Sequence, residues 1–364
     1  MKRKPMIKAF LHFDTPKNIK CVNLMAVKQL SKTYYHQNEI APGINTRTYS
    51  DVEFVVDKQK TIYKSYDGET CANLADFRAL NEVVCYHIGR QIGVECSKVE
   101  FARTEEYDFV TSNGTISYNT LKPNQILVDT DYLCTETGKF SSHTLEDYEK
   151  LVQEYARTSG AEVDTEKIKF DLFKMCVFDY LTMQSDRHES NVTFALTLDM
   201  FNNPEKLEVY PIIDNEYAFA TFTLDDILYV LPKHNEYSPR QVLELYCQDC
   251  RRMTVRTKFA LENHKQIANN KREIFEIIKY ADKNGYMDFL KSALKKYNVS
   301  RVLNKLEFNG VQISKSEREW YENCANIQKT AMEKAIAIYE KNKESANIDQ
   351  KPADEIIIDF SQDL

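Results

Sequence analysis

The 364-residue sequence predicts an α+β fold in two lobes, a strand-rich N-terminal third followed by a mainly helical remainder. Three observations carry this. Phe54 to Val56 and Thr61 to Tyr66 read as two strands joined by the polar turn Asp57-Lys58-Gln59-Lys60. Leu74 to Ile92 then places Phe77, Leu80, Val84, Ile88 and Ile92 on one helical stripe, which Gly93 ends. From Thr144 onward most apolar segments have a helical period.

The elements follow in order. Before the hairpin the chain is mixed, with an apolar stretch from Ile19 to Val27 and a turn signal at Pro42-Gly43. Val94 to Ala102 and Thr115 to Leu121 are strand candidates, and Pro123-Asn124 interrupts the pattern. The expected division is an N-lobe over 1–121, a helical C-lobe over 122–343 and an acidic tail over 344–364. Thr144 is a natural N-cap, with Asp147 in the first turn behind it. Thr165 to Met183 is an amphipathic helix with Ile168, Leu172, Cys176 and Tyr180 on one stripe and Phe173, Val177 and Leu181 beside it. Gln184 to Asn191 is a polar loop, Val192, Phe194 and Leu196 alternate as in a strand, and Val209 to Ile213 is a second short apolar run. Asp225 to Leu231, Pro239 to Arg252, Lys265 to Tyr280, Met287 to Tyr297 and Ser314 to Asn342 follow as helices, the last with the single tryptophan, Trp320. The tail, with Pro352 and acidic residues around Ile356 to Ile358, is a disordered end or a docking strand.

Composition limits the function classes. Hydrophobic content of 43% and charge of 28% are those of a globular protein. A net charge of −7 argues against nucleic-acid binding, which calls for a basic face. No apolar run reaches the length of a membrane span, and Met1-Lys2-Arg3-Lys4-Pro5 opens no signal peptide. The expected location is the cytoplasm, or export by a route the sequence does not display. The nine cysteines have no disulfide-like rhythm and fit a reducing compartment. Only Cys247-Gln248-Asp249-Cys250 has metal-like spacing, and no second pair accompanies it.

The chemistry lies in Asp186-Arg187-His188-Glu189-Ser190-Asn191 and, further on, Ile212-Ile213-Asp214. Phosphoryl transfer needs a carboxylate to orient the attacking hydroxyl, here Asp186, and ligands for magnesium on ATP, here Asn191 and Asp214. A helix, a polar loop and a strand pair ending in Asp would bring these groups to one edge of a rigid element. His188 is read as bracing the loop through a hydrogen bond rather than as a base. For the lysine that meets the α- and β-phosphates, Lys64 in the second hairpin strand is the candidate. Its expected glutamate is Glu82, on a narrow helical face with Ala75, Ala79 and Tyr86; a solvent-facing carboxylate is the alternative. No G-x-G-x-x-G and no G-x-x-x-x-G-K-[ST] occurs, which argues against a P-loop enzyme and an ordinary eukaryotic-type protein kinase. The polar stretch Asn45 to Ser50 offers donors in place of a glycine cradle.

These residues resemble the HipA-like kinases, bacterial members of the protein-kinase-like group. The resemblance rests on Asn81-Glu82-Val83-Val84-Cys85 leading to Ile88-Gly89 and Ile92-Gly93-Val94, on Asp186 to Asn191, and on Ile213-Asp214-Asn215, within roughly residues 50–250. It implies a two-lobed protein-kinase-like fold and an ATP- and Mg2+-dependent serine/threonine protein kinase of toxin or effector type. Asp186 would be its catalytic aspartate, Asn191 and Asp214 its metal ligands, and Lys64 and Glu82 its ATP-binding pair. A protein substrate and a cognate antitoxin or inhibitor are the implied partners. The short stretch before the hairpin, and Asp214-Asn215-Glu216 in place of D-F-G, match the compact members more than the long toxin form. The alternatives are a small-molecule or lipid kinase of the same fold, a nucleotide-binding pseudokinase, and transfer of AMP instead of phosphate.

Overall fold

The computed structural model describes residues 7–8, 21–22, 27–30, 51–56, 59–65, 72–105, 111–138, 144–184, 187, 191–219, 270–311, 313 and 315–348. The helices expected at Asp225 to Leu231 and Pro239 to Arg252, the Cys247/Cys250 pair and the Asn45 to Ser50 loop lie outside these residues.

The first region is built on a sheet. A small ladder pairs β1 (Ile7–Lys8) with β2 (Cys21–Val22). The main sheet contains β3 (Val27–Leu30), β4 (Asp51–Val56), β5 (Gln59–Ser65), β6 (Val99–Glu105) and β7 (Thr111–Tyr118), in the order β3-β6-β7-β5-β4. β3 runs parallel to β6 and the other neighbours are antiparallel. The hairpin is tighter than expected: Val56 pairs with Gln59, so the ladder takes in two residues read as turn. β7 likewise starts earlier than expected and ends at Tyr118.

Helix α1 (Ala72–Ile92) packs on β6 and β7. Its stripe is buried as the period requires, with Leu80, Val84, Ile88 and Ile92 at most 2% exposed. Gly93 ends it at φ +81°, a conformation that favours glycine. The strand expected from Val94 starts at Val99. Residues before it are claimed by another partner: Ile212 N donates to Glu95 O (2.9 Å) and Ser97 N to Ile212 O (2.9 Å), an isolated parallel bridge.

A second sheet and a helical mass follow. β8 (Gln125–Asp129), β9 (Glu162–Val163), β10 (Thr193–Leu198) and β11 (Pro204–Val209) form a sheet in the order β8-β10-β11-β9. The helices are α2 (Thr130–Thr137), α3 (Leu145–Ser159), α4 (Thr165–Thr182), α5 (Asn270–Lys283), α6 (Met287–Lys296), α7 (Val299–Phe308) and α8 (Lys315–Ile348). Thr144 caps α3 as expected, its hydroxyl accepting from Asp147 N at 3.0 Å. Asp164 does the same for α4, accepting from Lys167 N at 3.0 Å.

Two sequence expectations are corrected here. The strand before Asp214 is Pro204–Val209, and of the run to Ile213 only Ile212 makes a bridge beyond it. The run is apolar because Ile212 and Ile213 are buried, not because it continues the ladder. Helix α4 is amphipathic only in its first half, where Ile168, Leu172 and Phe173 are buried and Glu166 and Lys167 exposed; from Met175 to Thr182 every residue is buried. Trp320 and Tyr321 on α8, Tyr297 after α6, and Phe173 and Phe178 on α4 belong to one core that also takes in α1.

Gly89 shows how tightly α1 meets its own exit. A Cβ there would overlap Cys96 Sγ and lie 3.0 Å from Val94 O. Gly89→Ala is therefore expected to destabilise the chain by about 1–2 kcal/mol in a urea titration, despite the better helix propensity of Ala. Adding Cys96→Ala should recover part of the loss.

Candidate active site

The site is organised by Arg187, whose side chain is fully buried. A guanidinium has five N–H donors in a fixed fork, and here all five are used. Nε and Nη2 donate to Asp179 Oδ2 and Oδ1, each at 3.1 Å, a bidentate pair. Nη1 donates to Ile213 O (2.6 Å) and Asn191 O (3.4 Å), and Nη2 also donates to Asn215 Oδ1 (2.8 Å). One side chain thus ties the end of α4, the chain two residues before β10 and the segment around Asp214. Burial lowers the Arg187 pKa, but the attraction and hydrogen bonds of Asp179 outweigh it and the net shift is upward. Asp214 adds to that upward pull. Burial in turn raises the Asp179 carboxyl, against the pull of Arg187. The pair remains charged because each partner's charge is the other's main compensation.

The C-terminal end of α4 forms the other half of the frame. A helix leaves its last four carbonyls unsatisfied, and here each finds a buried donor. Asp179 O accepts from Gln184 N (2.9 Å) and Tyr180 O from Gln328 Nε2 (2.7 Å). Leu181 O accepts from Tyr297 OH (2.7 Å) and Thr182 O from Phe219 N (2.6 Å). Gln184 Nε2 then donates to Asp214 O at 3.0 Å. Met183, Asp214 and Phe219 have φ of 52°, 60° and 54°. A left-handed non-glycine residue costs about 1–2 kcal/mol, and three of them gather where α4 meets the Asp214 segment.

Helix α1 docks on the same segment. Asn81 Nδ2 donates to Glu216 O (2.6 Å) and Ala218 O (3.1 Å), while Tyr321 OH donates to Asn81 Oδ1 (2.6 Å). Arg78 stacks over the Tyr217 ring at 5.2 Å. Trp320 Nε1 donates to Phe219 O at 2.8 Å, closing the segment from behind. Burial drives the Cys85 and Cys96 thiols upward, so neither is a nucleophile here.

The sequence candidates fall as follows. Asn191 is 5% exposed just before β10, and Asp214 is half-buried after Ile213. Their segments meet at Arg187. Glu82 is 4% exposed, which corrects the solvent-facing alternative. Lys64 is on β5, opposite Asp51 on β4 and Thr115 on β7; its side chain is outside the described residues. Asp186 and His188 are also outside them, between the described Gln184, Arg187 and Asn191. Sequence reasoning missed Arg187, Asp179, Gln184 and Asn81. Two of these stand directly beside named candidates, Arg187 after Asp186 and Asn81 before Glu82.

A small apolar cluster separate from the main core lies next to Asp214. It contains Ala195, Tyr210 and Ile213, with Leu121 and Leu127 packed against it. Tyr210 holds the chain between the two sheets, its hydroxyl accepting from Thr120 N (3.0 Å) and donating to Asn119 Oδ1 (3.4 Å). The oxygen-bearing groups Asn191 and Asp214 suit a hard cation such as Mg2+. Among the described residues no three His, Cys, Asp or Glu side chains gather into a metal cage.

Truncating Arg187 to Met is expected to destabilise the chain by about 3–5 kcal/mol, because it leaves Asp179 buried and unpaired. The double variant Arg187→Met/Asp179→Leu should be more stable than the sum of the single changes predicts, by at least about 1 kcal/mol in urea unfolding. Additive losses would mean that the two side chains are not energetically coupled.

No protein-family model matches the chain, and no curated protein matches it by sequence. Among solved structures it is similar to the Helicobacter pylori proinflammatory kinase CtkA, with a TM-score of 0.59 and 16% identity, covering 85% of this chain and 98% of that one. A weaker likeness, with a TM-score of 0.42 and 10% identity, is to the Shewanella oneidensis MR-1 toxin–antitoxin complex of HipA, HipB and operator DNA, covering 81% of this chain and 66% of that one. The chain has a kinase-like fold, a sheet-containing N-terminal region on a mostly helical C-terminal region, and its motif resemblance to the HipA-like kinases is met at the level of that fold.

Proposed function

We propose that the chain is an ATP- and Mg2+-dependent phosphotransferase whose acceptor is a serine or threonine hydroxyl of a protein. The observation that carries the reading is the buried Arg187 fork, which holds the Asn191 and Asp214 segments in one frame, from the residue next in sequence to Asp186. The likeness to the fold of a kinase, CtkA, supports it. In this reading the lobes are residues 1–121 and 122–343, with 344–364 as the tail, and the nucleotide lies between the lobes.

The roles follow from chemistry. Ala195 and Ile213, with Leu121 and Leu127 beside them, offer an apolar floor for the purine. Lys64 meets the α- and β-phosphates, and Glu82, buried on α1, holds that lysine in place. Asn191 and Asp214 would hold magnesium, which would neutralise phosphate charge. Asp186 orients the acceptor hydroxyl and accepts its proton as the oxygen bonds to the γ-phosphorus and the bond to the ADP oxygen breaks. His188 braces the loop. Most of the rate enhancement would come from positioning and fixed charge, which a rigid frame serves.

The test is purified chain with Mg2+ and γ-labelled ATP, with and without protein acceptors. Wild type should label protein on serine or threonine, and Asp186→Ala should lose about 10²–10⁴-fold in rate while still binding ATP. Asp214→Ala should lose the magnesium dependence of ATP binding. Near-wild-type turnover in Asp186→Ala would refute the assignment, and label on small molecules alone would refute the protein acceptor.

A further inference from the structure

The link from Asn119 to Asn124 joins the end of β7 to the start of β8, and so one sheet to the other. It runs beside the small apolar cluster, where Leu121 packs with Ala195, Tyr210 and Ile213. Irregular backbone leaves N–H groups without ladder partners, and each must find another acceptor or water. Here three consecutive ones are taken by side chains: Thr120 N donates to Tyr210 OH (3.0 Å), Leu121 N to Asn119 Oδ1 (2.8 Å) and Lys122 N to Gln125 Oε1 (3.0 Å). Pro123, the next residue, has no N–H to offer. Asn119 N lies on the other side of the strand end, because Tyr118 N donates to Lys98 O beside β6 and successive N–H groups alternate. The turn that follows is anchored as well. Gln125 N donates to Lys122 O (2.9 Å), Gln125 Nε2 to Thr197 Oγ1 (3.1 Å) and Leu198 N to Asn124 O (2.8 Å). Thr120 O and Leu121 O, by contrast, take no donor among the described residues. The link keeps its donors to itself and leaves acceptors to a ligand.

We propose that this link reads the nucleotide base through acceptors alone, with Tyr210 and Asn119 as the residues that set base specificity. The proposal rests on the reading of the region between the lobes as a nucleoside triphosphate site. Adenine carries a donor at N6 and, next to it, an acceptor at N1. Against an acceptor-only edge the amine is met, while N1 finds no donor. Guanine carries N1–H and the N2 amine side by side, adjacent donors for both carbonyls. A polar atom that loses its water and gains no partner costs affinity, and here that penalty falls on adenine. The site therefore accepts guanine at least as readily as adenine. Tyr210 makes the preference adjustable: with its hydroxyl gone, Thr120 N is released to meet adenine N1. Loss of the Asn119 side chain does the same for Leu121 N.

The experiment is titration calorimetry of the full chain with ATP, GTP and ITP in the presence of Mg2+. Ribose, triphosphate and metal are common to these nucleotides, so the ratio of affinities reports the base alone. Wild type should bind GTP as tightly as ATP or up to about tenfold tighter. ITP, which lacks the N2 amine, should bind about three- to tenfold more weakly than GTP. Tyr210→Phe keeps the ring in its cluster; it should raise ATP affinity about three- to tenfold and change GTP affinity by less than about twofold. Asn119→Ala should move the ratio in the same direction. ATP bound more than about threefold tighter than GTP by wild type, or a ratio that neither variant moves, would overturn the acceptor-only reading. Binding of no nucleotide at all would refute the nucleotide site itself, so the two failures are distinguishable.

Discussion

The buried ion pair between Arg187 and Asp179 is the constraint on which the rest of the site depends. Taking two charges out of water costs several kcal/mol per ion, and attraction in the interior offsets that only when the remaining donors are also satisfied. All five N–H groups of Arg187 have acceptors, on α4, before β10 and on both sides of Asp214. An arrangement with any of these segments displaced would leave a buried donor or carboxylate unmet, at about 1–3 kcal/mol or more each. The pair therefore selects one relative placement of three segments that are distant in the chain. That is the property a phosphoryl-transfer site requires, since its work is positioning.

The remainder of the molecule supports this frame from behind. The last four carbonyls of α4 are satisfied by Gln184, Gln328, Tyr297 and Phe219, which belong to four separate parts of the chain. A helix end buried all round has no water to take those bonds, so the surrounding chain supplies them. Through Tyr321 and Trp320, α8 also reaches Asn81 and Phe219. Helix α1 is held at three places: by Asn81 on the Asp214 segment, by Gly89 against Cys96, and by Gln91 against α7.

Much of this architecture is legible in the chain. Helix α1 follows from a clean apolar period, and α3 from a threonine cap with acid behind it. β10 follows from the alternation of Val192, Phe194 and Leu196 after a polar stretch. Other features leave no periodic trace. Asp179 and Arg187 meet across a helix end, so no fixed spacing links them. Glu82 is buried although a charged residue off the main stripe suggests solvent, because α1 is enclosed by the sheet on one side and by α6 and α7 on another. The apolar run to Ile213 resembles a strand, yet its residues pack into two clusters and bridge Cys96 in place of extending β11. β8 and α2 leave little trace since each is short, whereas α7 has a legible period, with Val299, Val302, Leu303 and Leu306 buried on one face.

The most direct test of the account is an experimental structure of the chain with Mg2+ and a non-hydrolysable ATP analogue. The account predicts magnesium at about 2.1 Å from side-chain oxygens of both Asn191 and Asp214, with the purine against Ala195 and Ile213. A nucleotide bound away from the Arg187 frame, or a metal that touches neither residue, would contradict it.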